Sequence, residues 1–383
     1  MAETVEQNSG FKIDATSLRA YTMLAALVVI WLFFHWQTGG TFLDAKNLSN
    51  LTLQTAVTGI IAVGMLMVIV SGNIDLSVGS LLGLAGGVAA ILLTNKGYGL
   101  IPSIGAAIAV GIAIGVLQGF LTSYAGIPAF IVTLGGLLAW RGAIKGISRS
   151  ETVSIVDETF KSIGQSYIEP TVGWILAGIA IAALVFSAIR SAKQQREYGL
   201  GEGNIGKAML SIVVPVIGVL VFMYVMNLYA GMPVPVLILI VVALGGWFLT
   251  QHTTFGRYLY AIGGNADAAR LSGINTRSNV VKVFALLGAL TGLAAVISTA
   301  RLASASPDAG TLKELDAIAA CVIGGASLVG GRGTIFGACL GALIMSSLDN
   351  GMSLMNLSDF VQDLVKGIIL VSAVGLDMVG KRS

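Results

Sequence analysis

The sequence predicts an all-α polytopic membrane protein with about 10–12 transmembrane helices, on two observations. Of its 383 residues, 55% are hydrophobic and 11% are charged, whereas charged residues make up roughly 25% of an average soluble domain. Apolar runs of about 20 residues, long enough to cross a bilayer as a helix, recur with short polar breaks between residues 20 and 379. We therefore expect one transmembrane domain over 20–379, preceded by a polar tail over 1–19.

Up to twelve apolar segments meet this length requirement. They lie near residues 20–37, 51–71, 75–94, 100–124, 126–147, 171–190, 207–229, 234–251, 280–302, 313–330, 333–348 and 359–378. The breaks near 72–75 and 124–126 are poorly marked, and the segments at 313–330 and 333–348 are short. Half-helices or re-entrant pieces would reduce the number of complete spans to about ten.

Lysines and arginines are distributed unevenly between the two sets of loops. With the N-terminus placed inside, the inner loops carry the larger share of them. Because short cytoplasmic loops are enriched in Lys and Arg, the pattern predicts that both termini and the loop at 252–279 are cytoplasmic. The loop at 148–170 is then on the outer side of the membrane.

Glycines recur every four residues in several of the apolar segments. They stand at Gly111, Gly115 and Gly119, at Gly288 and Gly292, and at Gly333, Gly337 and Gly341. Small residues on one face of a membrane helix let a neighbouring helix approach closely. The spacing therefore predicts helix packing and says nothing about a substrate.

The remaining composition argues against several function classes. A net charge of +3 is too small to indicate nucleic-acid binding. Two cysteines and two histidines, all in or beside apolar runs, favour neither a disulfide framework nor a metal site. Segments 201–208 and 375–382 nearly match a phosphate-binding loop but lack its hydroxyl residue. We expect no cofactor and no catalytic site. No set of residues in the sequence supports a membrane-embedded enzyme.

Polar and ionisable residues inside apolar runs are candidates for a translocation pathway. Such groups are costly within a bilayer and usually face the interior of a helix bundle. The candidates are Asn73, Asp75, Asp316, Asp349 and Asn350. A carrier driven by an ion gradient would need groups of this kind, and Asp75, Asp316 and Lys366 keep that alternative open.

Asp75 lies in the run SGNIDLSVGS, which interrupts an otherwise continuous apolar stretch. The run predicts a broken helix whose freed backbone lines a cavity or another helix. Asp75 either caps a helix beginning at Leu76 by accepting bonds from its first amides, or lines the pathway. Both roles remain open from the sequence.

The outer loop at 148–170 mixes acidic and basic side chains. A surface of this kind suits docking of a soluble partner, and an ordinary solvated loop explains it equally well. The docking candidates are Arg149, Glu151, Asp157, Glu158 and Lys161.

The inner loop at 252–279 is the most informative stretch. After a predicted turn at Gly263, Gly264 and Asn265, residues 266–271 favour a short helix that ends before Gly273. Asp267 would lie near the positive end of this helix and Arg270 near the negative end. A short helix across the cytoplasmic face is what a soluble partner would contact to move the spanning helices.

A family resemblance follows from these motifs. Asp267-Ala268-Ala269 followed by Gly273 resembles the E-A-A-x-x-x-G coupling loop of ABC importer permeases, with Asp in place of Glu. The wider runs FGRYLYAIGGNADAARLSGI, SGNIDLSVGS, PAFIVTLGGLLAWRG, ELDAIAACVIGGASLVGG and SLDNGMS resemble the ribose, xylose, arabinose and galactose branch of these permeases. The extra apolar pair near 171–229 is most similar to xylose-type members.

The resemblance implies a type II ABC importer permease of the bacterial inner membrane. It implies a homodimer, a separate ABC ATPase subunit and a periplasmic sugar-binding protein, with a monosaccharide, D-xylose, as the transported substrate. The ATPase would contact Gly263, Gly264, Asn265, Asp267, Ala268, Ala269, Arg270 and Gly273. The binding protein would meet the loops at 148–170 and 301–312. An ion-coupled secondary sugar carrier is the alternative.

Overall fold

A computed structural model describes residues 15–198 and 205–379. Most of the predicted N-terminal tail and parts of both near-matches to a phosphate-binding loop lie outside these ranges. The helices are α1 (Ala15–Gln37), α2 (Ala45–Val70), α3 (Val78–Ala90), α4 (Leu100–Ser123), α5 (Ala129–Ser148), α6 (Glu158–Gln165), α7 (Pro170–Glu197), α8 (Ile205–Asn227), α9 (Val234–His252), α10 (Thr254–Gly264), α11 (Ala266–Leu271), α12 (Thr276–Leu302), α13 (Lys313–Ile323), α14 (Ile335–Leu354) and α15 (Asp359–Val379).

The predicted all-α membrane fold is confirmed. Among the residues that the structure describes, nine helices are long and apolar enough to cross a membrane. They are α2, α3 with its continuation to Asn95, α4, α5, α7, α8, α9, α12 and α14. Helix α1 contributes a shorter apolar stretch, Tyr21–Gln37, and it begins at Ala15, before the predicted end of the tail.

Two of the predicted segments are broken helices. The chain leaves the helical path after α2 and resumes it only at Val78, and a π-helical turn over Ile91–Asn95 then extends α3. Helix α13 has 11 residues, about 16 Å of length, which is roughly half of a bilayer's hydrocarbon thickness. A glycine-rich non-helical stretch, residues 324–334, connects α13 to α14.

Helix α2 forms the centre of the bundle. Ninety-four per cent of its apolar window is buried, because α12, α14, α9 and α13 pack around it. By contrast, no more than 28% of the apolar window is buried in each of α4, α5, α7, α8 and α9. These outer helices present the apolar surface that a bilayer would cover.

The predicted role of the spaced glycines in helix packing is confirmed for those that lie in helices, whereas Gly333 belongs to the non-helical stretch 324–334. A Cβ atom added to Gly288 of α12 would collide with the carbonyl oxygen of Gly111 in α4, and one added to Gly111 would collide with that of Gly288. A Cβ on Gly341 of α14 would likewise collide with the carbonyl oxygen of Ala320 in α13. These helices therefore meet backbone to backbone.

Two short antiparallel strand pairs mark one end of the bundle. Val153–Ser154 pairs with Ser304–Ala305, and Tyr167–Ile168 pairs with Met232–Pro233. We call this the sheet end, and the end that carries α10 and α11 the coupling end. Helix α12 follows α11 and is followed by the strand Ser304–Ala305, so it runs from one end to the other. The outer and inner loops predicted as docking sites thus lie at opposite ends.

Candidate coupling and translocation sites

Helix α11 has the bounds that the sequence predicts, Ala266–Leu271. Its first turn is capped by Asn265, whose side-chain oxygen accepts a hydrogen bond from the backbone N–H of Ala268 at 2.9 Å. Asparagine is among the preferred N-cap residues for this reason. One residue, Asn265, therefore separates α11 from α10.

The C-terminal end of α11 is closed by backbone bonds around Gly273. The Gly273 N–H donates to the carbonyl oxygen of Arg270 at 3.0 Å, and the Ile274 N–H donates to that of Ala269 at 3.1 Å. Gly273 adopts a φ of +84°, a left-handed conformation that glycine accepts without strain. The exposed ion pair between Arg270 and Asp267, at 3.4 Å, adds little to stability.

The predicted contact residues differ in exposure. Asp267, Ala268 and Arg270 are exposed, whereas Ala269 is buried at 5% exposure and packs inward. Leu271, which the sequence analysis did not select, is 85% exposed. Of the side chains in this helix, Leu271 offers the largest apolar surface to a partner.

Gly263 and Gly264 are the last residues of α10 and do not form the predicted turn. Gly263 lies against the end of α2, where an added Cβ would collide with the carbonyl oxygen of Val70. The same carbonyl accepts a hydrogen bond from the N–H of Gly331 at 2.9 Å. Glycine is needed here because α10 packs closely against the end of α2. A glycine pair in the sequence is also typical of a turn, and the local sequence does not show which of the two roles applies.

A four-residue ion-pair network occupies the junction of α13, α14 and α15. The Lys313 amine lies 2.6 Å from a carboxylate oxygen of Asp316 and 3.6 Å from one of Asp349. The Lys366 amine lies 2.7 Å from the other Asp349 oxygen and 3.4 Å from the other Asp316 oxygen. Two candidate pathway carboxylates are thus engaged in a charge-balanced network that joins three helices.

The candidate asparagines also make internal contacts. Asn350 of α14 and Asn47 of α2 exchange two amide hydrogen bonds, at 2.8 and 3.1 Å. Asn73 donates to the hydroxyl of Ser71, two residues earlier, at 3.1 Å. Asn350 therefore joins two helices, and Asn73 stabilises the turn that ends α2.

Asp75 is 2% exposed and supports the start of α3. Its Oδ1 accepts hydrogen bonds from the backbone N–H and the hydroxyl of Ser77, each at 2.7 Å. Helix α3 begins at Val78 with Ser77 as N-cap, so Asp75 stabilises the turn before the helix and does not bond its first amides. With the Gln118 amide oriented to satisfy its neighbours, its nitrogen lies 3.1 Å from Asp75 Oδ2 and its oxygen 3.2 Å from Trp140 Nε1.

The predicted docking residues of the outer loop lie around α6. Asp157 caps this helix by accepting a hydrogen bond from the Phe160 N–H at 2.7 Å. Glu158 and Lys161 form an ion pair one turn apart. Arg149 and Glu151 are exposed and line an open groove beside the first strand pair. A solvated face and a docking face both fit this geometry.

The family model for the permease component of branched-chain amino acid transport systems matches residues 47–374. The chain belongs to this permease family. The permease is 46% identical over 372 residues to the xylose transport system permease protein of Haemophilus influenzae, covering 97% of this chain and 99% of that protein.

Two further relatives extend the comparison. The xylose transport system permease protein of Escherichia coli K12 is 45% identical over 383 residues, with 99% and 96% of the two chains covered. The ribose import permease protein of the same strain is 37% identical over 338 residues, with 88% and 87% covered. No solved structure matches the permease.

The Tyr260 hydroxyl of α10 ties the coupling end to the stretch between α13 and α14. It donates to the carbonyl oxygen of Gly333 at 2.7 Å. We expect Tyr260→Phe to lower the free energy of unfolding of the permease by about 1 kcal/mol, because it removes one hydrogen bond and little packing. Denaturant unfolding in detergent measures this, with the exposed Tyr258→Phe as the matched control. Equal stabilities of the two variants would contradict the expectation.

Proposed function

We propose that this permease is the membrane subunit of an ATP-driven (ABC) importer that carries a monosaccharide, D-xylose, into the bacterial cytoplasm. The observation that carries the proposal is similarity along almost the whole chain to two permeases named for xylose transport, at 45–46% identity. Similarity to a permease named for ribose import is lower, at 37%, which supports xylose as the first sugar to test.

The proposed permease works as a homodimer, spans the inner membrane several times and keeps both termini in the cytoplasm. A separate ABC ATPase subunit binds the coupling end at α11, and a periplasmic sugar-binding protein binds the sheet end. The separation of these two docking regions by the full length of α12 supports this arrangement. The exposed side chains of α11, with Leu271 at 85% exposure, supply the contact for the ATPase.

In the proposed mechanism, ATPase movement reaches the spanning helices through α10. The single residue Asn265 connects α11 to α10. Helix α10 in turn contacts the end of α2 through Gly263 and the 324–334 stretch through Tyr260. A displacement of α11 would therefore act on both the central helix and the chain that follows the half-helix α13.

An ion-coupled carrier is the second candidate, and the site geometry supports it less. Such a carrier needs an ionisable group that is free to bind the coupling ion. Asp316 and Lys366 are paired with each other, at 3.4 Å, and each also has a second partner. Asp75 accepts two hydrogen bonds from Ser77.

The deciding experiment measures uptake of labelled D-xylose by cells with and without this permease and its partner subunits. Ribose, arabinose, glucose and galactose serve as competitors, and vanadate and an ionophore serve as separate inhibitors. Saturable uptake that vanadate blocks is the expected result. Uptake blocked by the ionophore and insensitive to vanadate would favour the carrier, and a better competitor than xylose would change the proposed sugar.

We expect Leu271→Asp to weaken association with the ATPase subunit at least about tenfold, roughly 1.4 kcal/mol, because it puts a charge into an apolar contact. The free energy of unfolding of the permease itself should change by less than about 0.5 kcal/mol, since the Leu271 side chain is exposed. Co-purification at graded ATPase concentrations measures the effect. Leu228→Asp, at an exposed leucine of the sheet end, is the control. Equal ATPase binding by both variants would rule out this contact.

Substitutions at Ala269 and Gly273 test the ATPase contact less cleanly. A bulky residue at Ala269 would displace α11 from the permease, because this side chain is buried. A side chain at Gly273 would strain a backbone with positive φ. Loss of coupling in either variant would report damage to the helix as well as to the interface.

A further inference from the structure

A segment at the sheet end lies against the start of α3. Residues 306–312, which we call the strap, connect the strand Ser304–Ala305 to α13. A Cβ added to Gly79 would collide with the carbonyl oxygen of Gly310, and one added to Gly83 would lie 2.7 Å from that of Ala309. The strap backbone therefore rests directly on α3, where two glycines leave room for it.

Arg141 of α5 holds the strap by its backbone. One guanidinium nitrogen, Nη1, donates to the carbonyl oxygens of Pro307 and Ala309, both at 2.8 Å. A second contact joins Lys145 and Asp308 at 3.1 Å, between side chains that are 46% and 71% exposed. Exposed pairs of this kind contribute little, so the polar part of the attachment rests chiefly on two bonds from one side chain to peptide oxygens.

A buried carboxylate next to the strap has an unused oxygen. Glu314, in the first turn of α13, is 6% exposed, and its Oε2 has no hydrogen-bond partner among the described residues. The carboxylate lies against Gly79, and the guanidinium of Arg141 lies against Gly83, one helical turn further along α3. A buried carboxylate oxygen without a hydrogen-bond partner costs free energy of folding. Because most buried polar atoms in proteins have a partner, the unpaired oxygen of Glu314 needs an explanation.

We propose that Arg141 and Glu314 form a binding subsite for the hydroxyl groups of the transported sugar, and that the strap covers this subsite between transport cycles. The inference rests on the proposed sugar-import function. When the strap withdraws, the Arg141 donors lose the two peptide oxygens and bind sugar oxygens in their place. Glu314 Oε2 accepts a hydrogen bond from a neighbouring sugar hydroxyl.

The chemistry of a monosaccharide fits this pair. Each sugar hydroxyl both donates and accepts a hydrogen bond, and neighbouring hydroxyls satisfy a donor and an acceptor placed side by side. The outward side of the strap carries Asp308 and Thr311, both exposed, where a soluble partner at the sheet end can reach them. Withdrawal of the strap breaks the two hydrogen bonds from Arg141, one exposed ion pair and the packing of the strap on α3, and a docked partner would supply the free energy for it.

The test uses the permease reconstituted in vesicles with its ATPase and binding protein. Initial uptake of D-xylose and of its monodeoxy analogues is measured for Glu314→Gln and Arg141→Lys, and each rate is divided by that of the unsubstituted permease for the same sugar. We expect xylose uptake to fall about tenfold, or about 1.4 kcal/mol. For the analogue that lacks the hydroxyl contacted by the substituted residue, the uptake rate should fall less than threefold. Glu197→Gln, at an exposed residue of α7, is the matched control.

If uptake of every sugar fell by the same factor, the two residues would have a structural role and the proposed subsite would be refuted. Unchanged uptake in both variants would also refute it. If the unsubstituted permease takes up no xylose, the proposed function fails and the subsite is not at issue.

Movement of the strap is tested separately. In a chain without Cys321 and Cys339, Lys145→Cys and Asp308→Cys are joined by a reducible bifunctional thiol reagent that spans the ion pair. We expect uptake to fall at least tenfold and to recover on reduction, while Lys145→Cys alone treated with the reagent remains active. Full uptake by the cross-linked permease would overturn the proposed covering role of the strap.

Discussion

Replacing Lys366 by methionine is expected to lower the free energy of unfolding by about 3–5 kcal/mol, because breaking a buried ion pair leaves an uncompensated charge. The Lys366 amine contacts both Asp349, at 2.7 Å, and Asp316, at 3.4 Å. Without it, two carboxylates share the single cation of Lys313. Denaturant unfolding of the purified permease in detergent measures the loss.

A double variant separates charge balance from packing. Lys366→Met combined with Asp349→Leu removes one cation and one anion and leaves the Lys313–Asp316 pair, at 2.6 Å, intact. We expect the double variant to be at least about 1 kcal/mol more stable than the sum of the two single losses predicts. Additive losses would show that the network stabilises the helix junction through packing alone.

A leucine at Gly288 is expected to cost about 3 kcal/mol or more, enough to prevent accumulation of folded permease. Overpacking usually costs about 1–3 kcal/mol when side chains can shift. Here the obstruction is the backbone of Gly111 in α4, which cannot rotate away. The two helices would have to separate along their whole contact. Folded yield in membranes and the thermal midpoint in detergent report the effect.

Gly218 of α8 supplies a control, since a Cβ added there meets no atom of the described residues within 4 Å. Gly218→Ala is expected to raise stability by up to about 1 kcal/mol, because alanine is the better helix former. If Gly288→Leu accumulated as well as Gly218→Ala, the close crossing of α4 and α12 would be refuted.

Much of the fold was predictable because it depends on local composition. The apolar runs, the break before α3 and the bounds of α11 follow from hydropathy, glycine placement and capping residues within a few positions of one another. The four-residue glycine spacing likewise predicted where helices meet. It did not identify the partner, which in the case of Gly111 is a glycine from a distant helix, Gly288.

The candidate site was predicted less well, because pairing of distant residues has no local signature. Asp316 and Asp349 were selected as charged residues in apolar runs. The pairing of Lys313 with Asp316 follows from their i,i+3 spacing on one helix. Nothing near Asp349 in the sequence indicates that Lys366 balances its charge. Leu271 was overlooked because a leucine in a short helix indicates burial, and it is 85% exposed. Gln118 lies within an apolar run, and only the fold brings it to Asp75.

The central position of α2 has a consequence for how lipid acts on the permease. A bilayer that is too thick or too thin is accommodated by tilting, stretching or local deformation at the helices that touch acyl chains. In the apolar window of α2, 94% of the residues are buried, so acyl-chain length acts on it through its neighbours. Hydrophobic mismatch should therefore change the tilt of α7 and α8 first, while α2, which contacts α10, keeps its length and orientation.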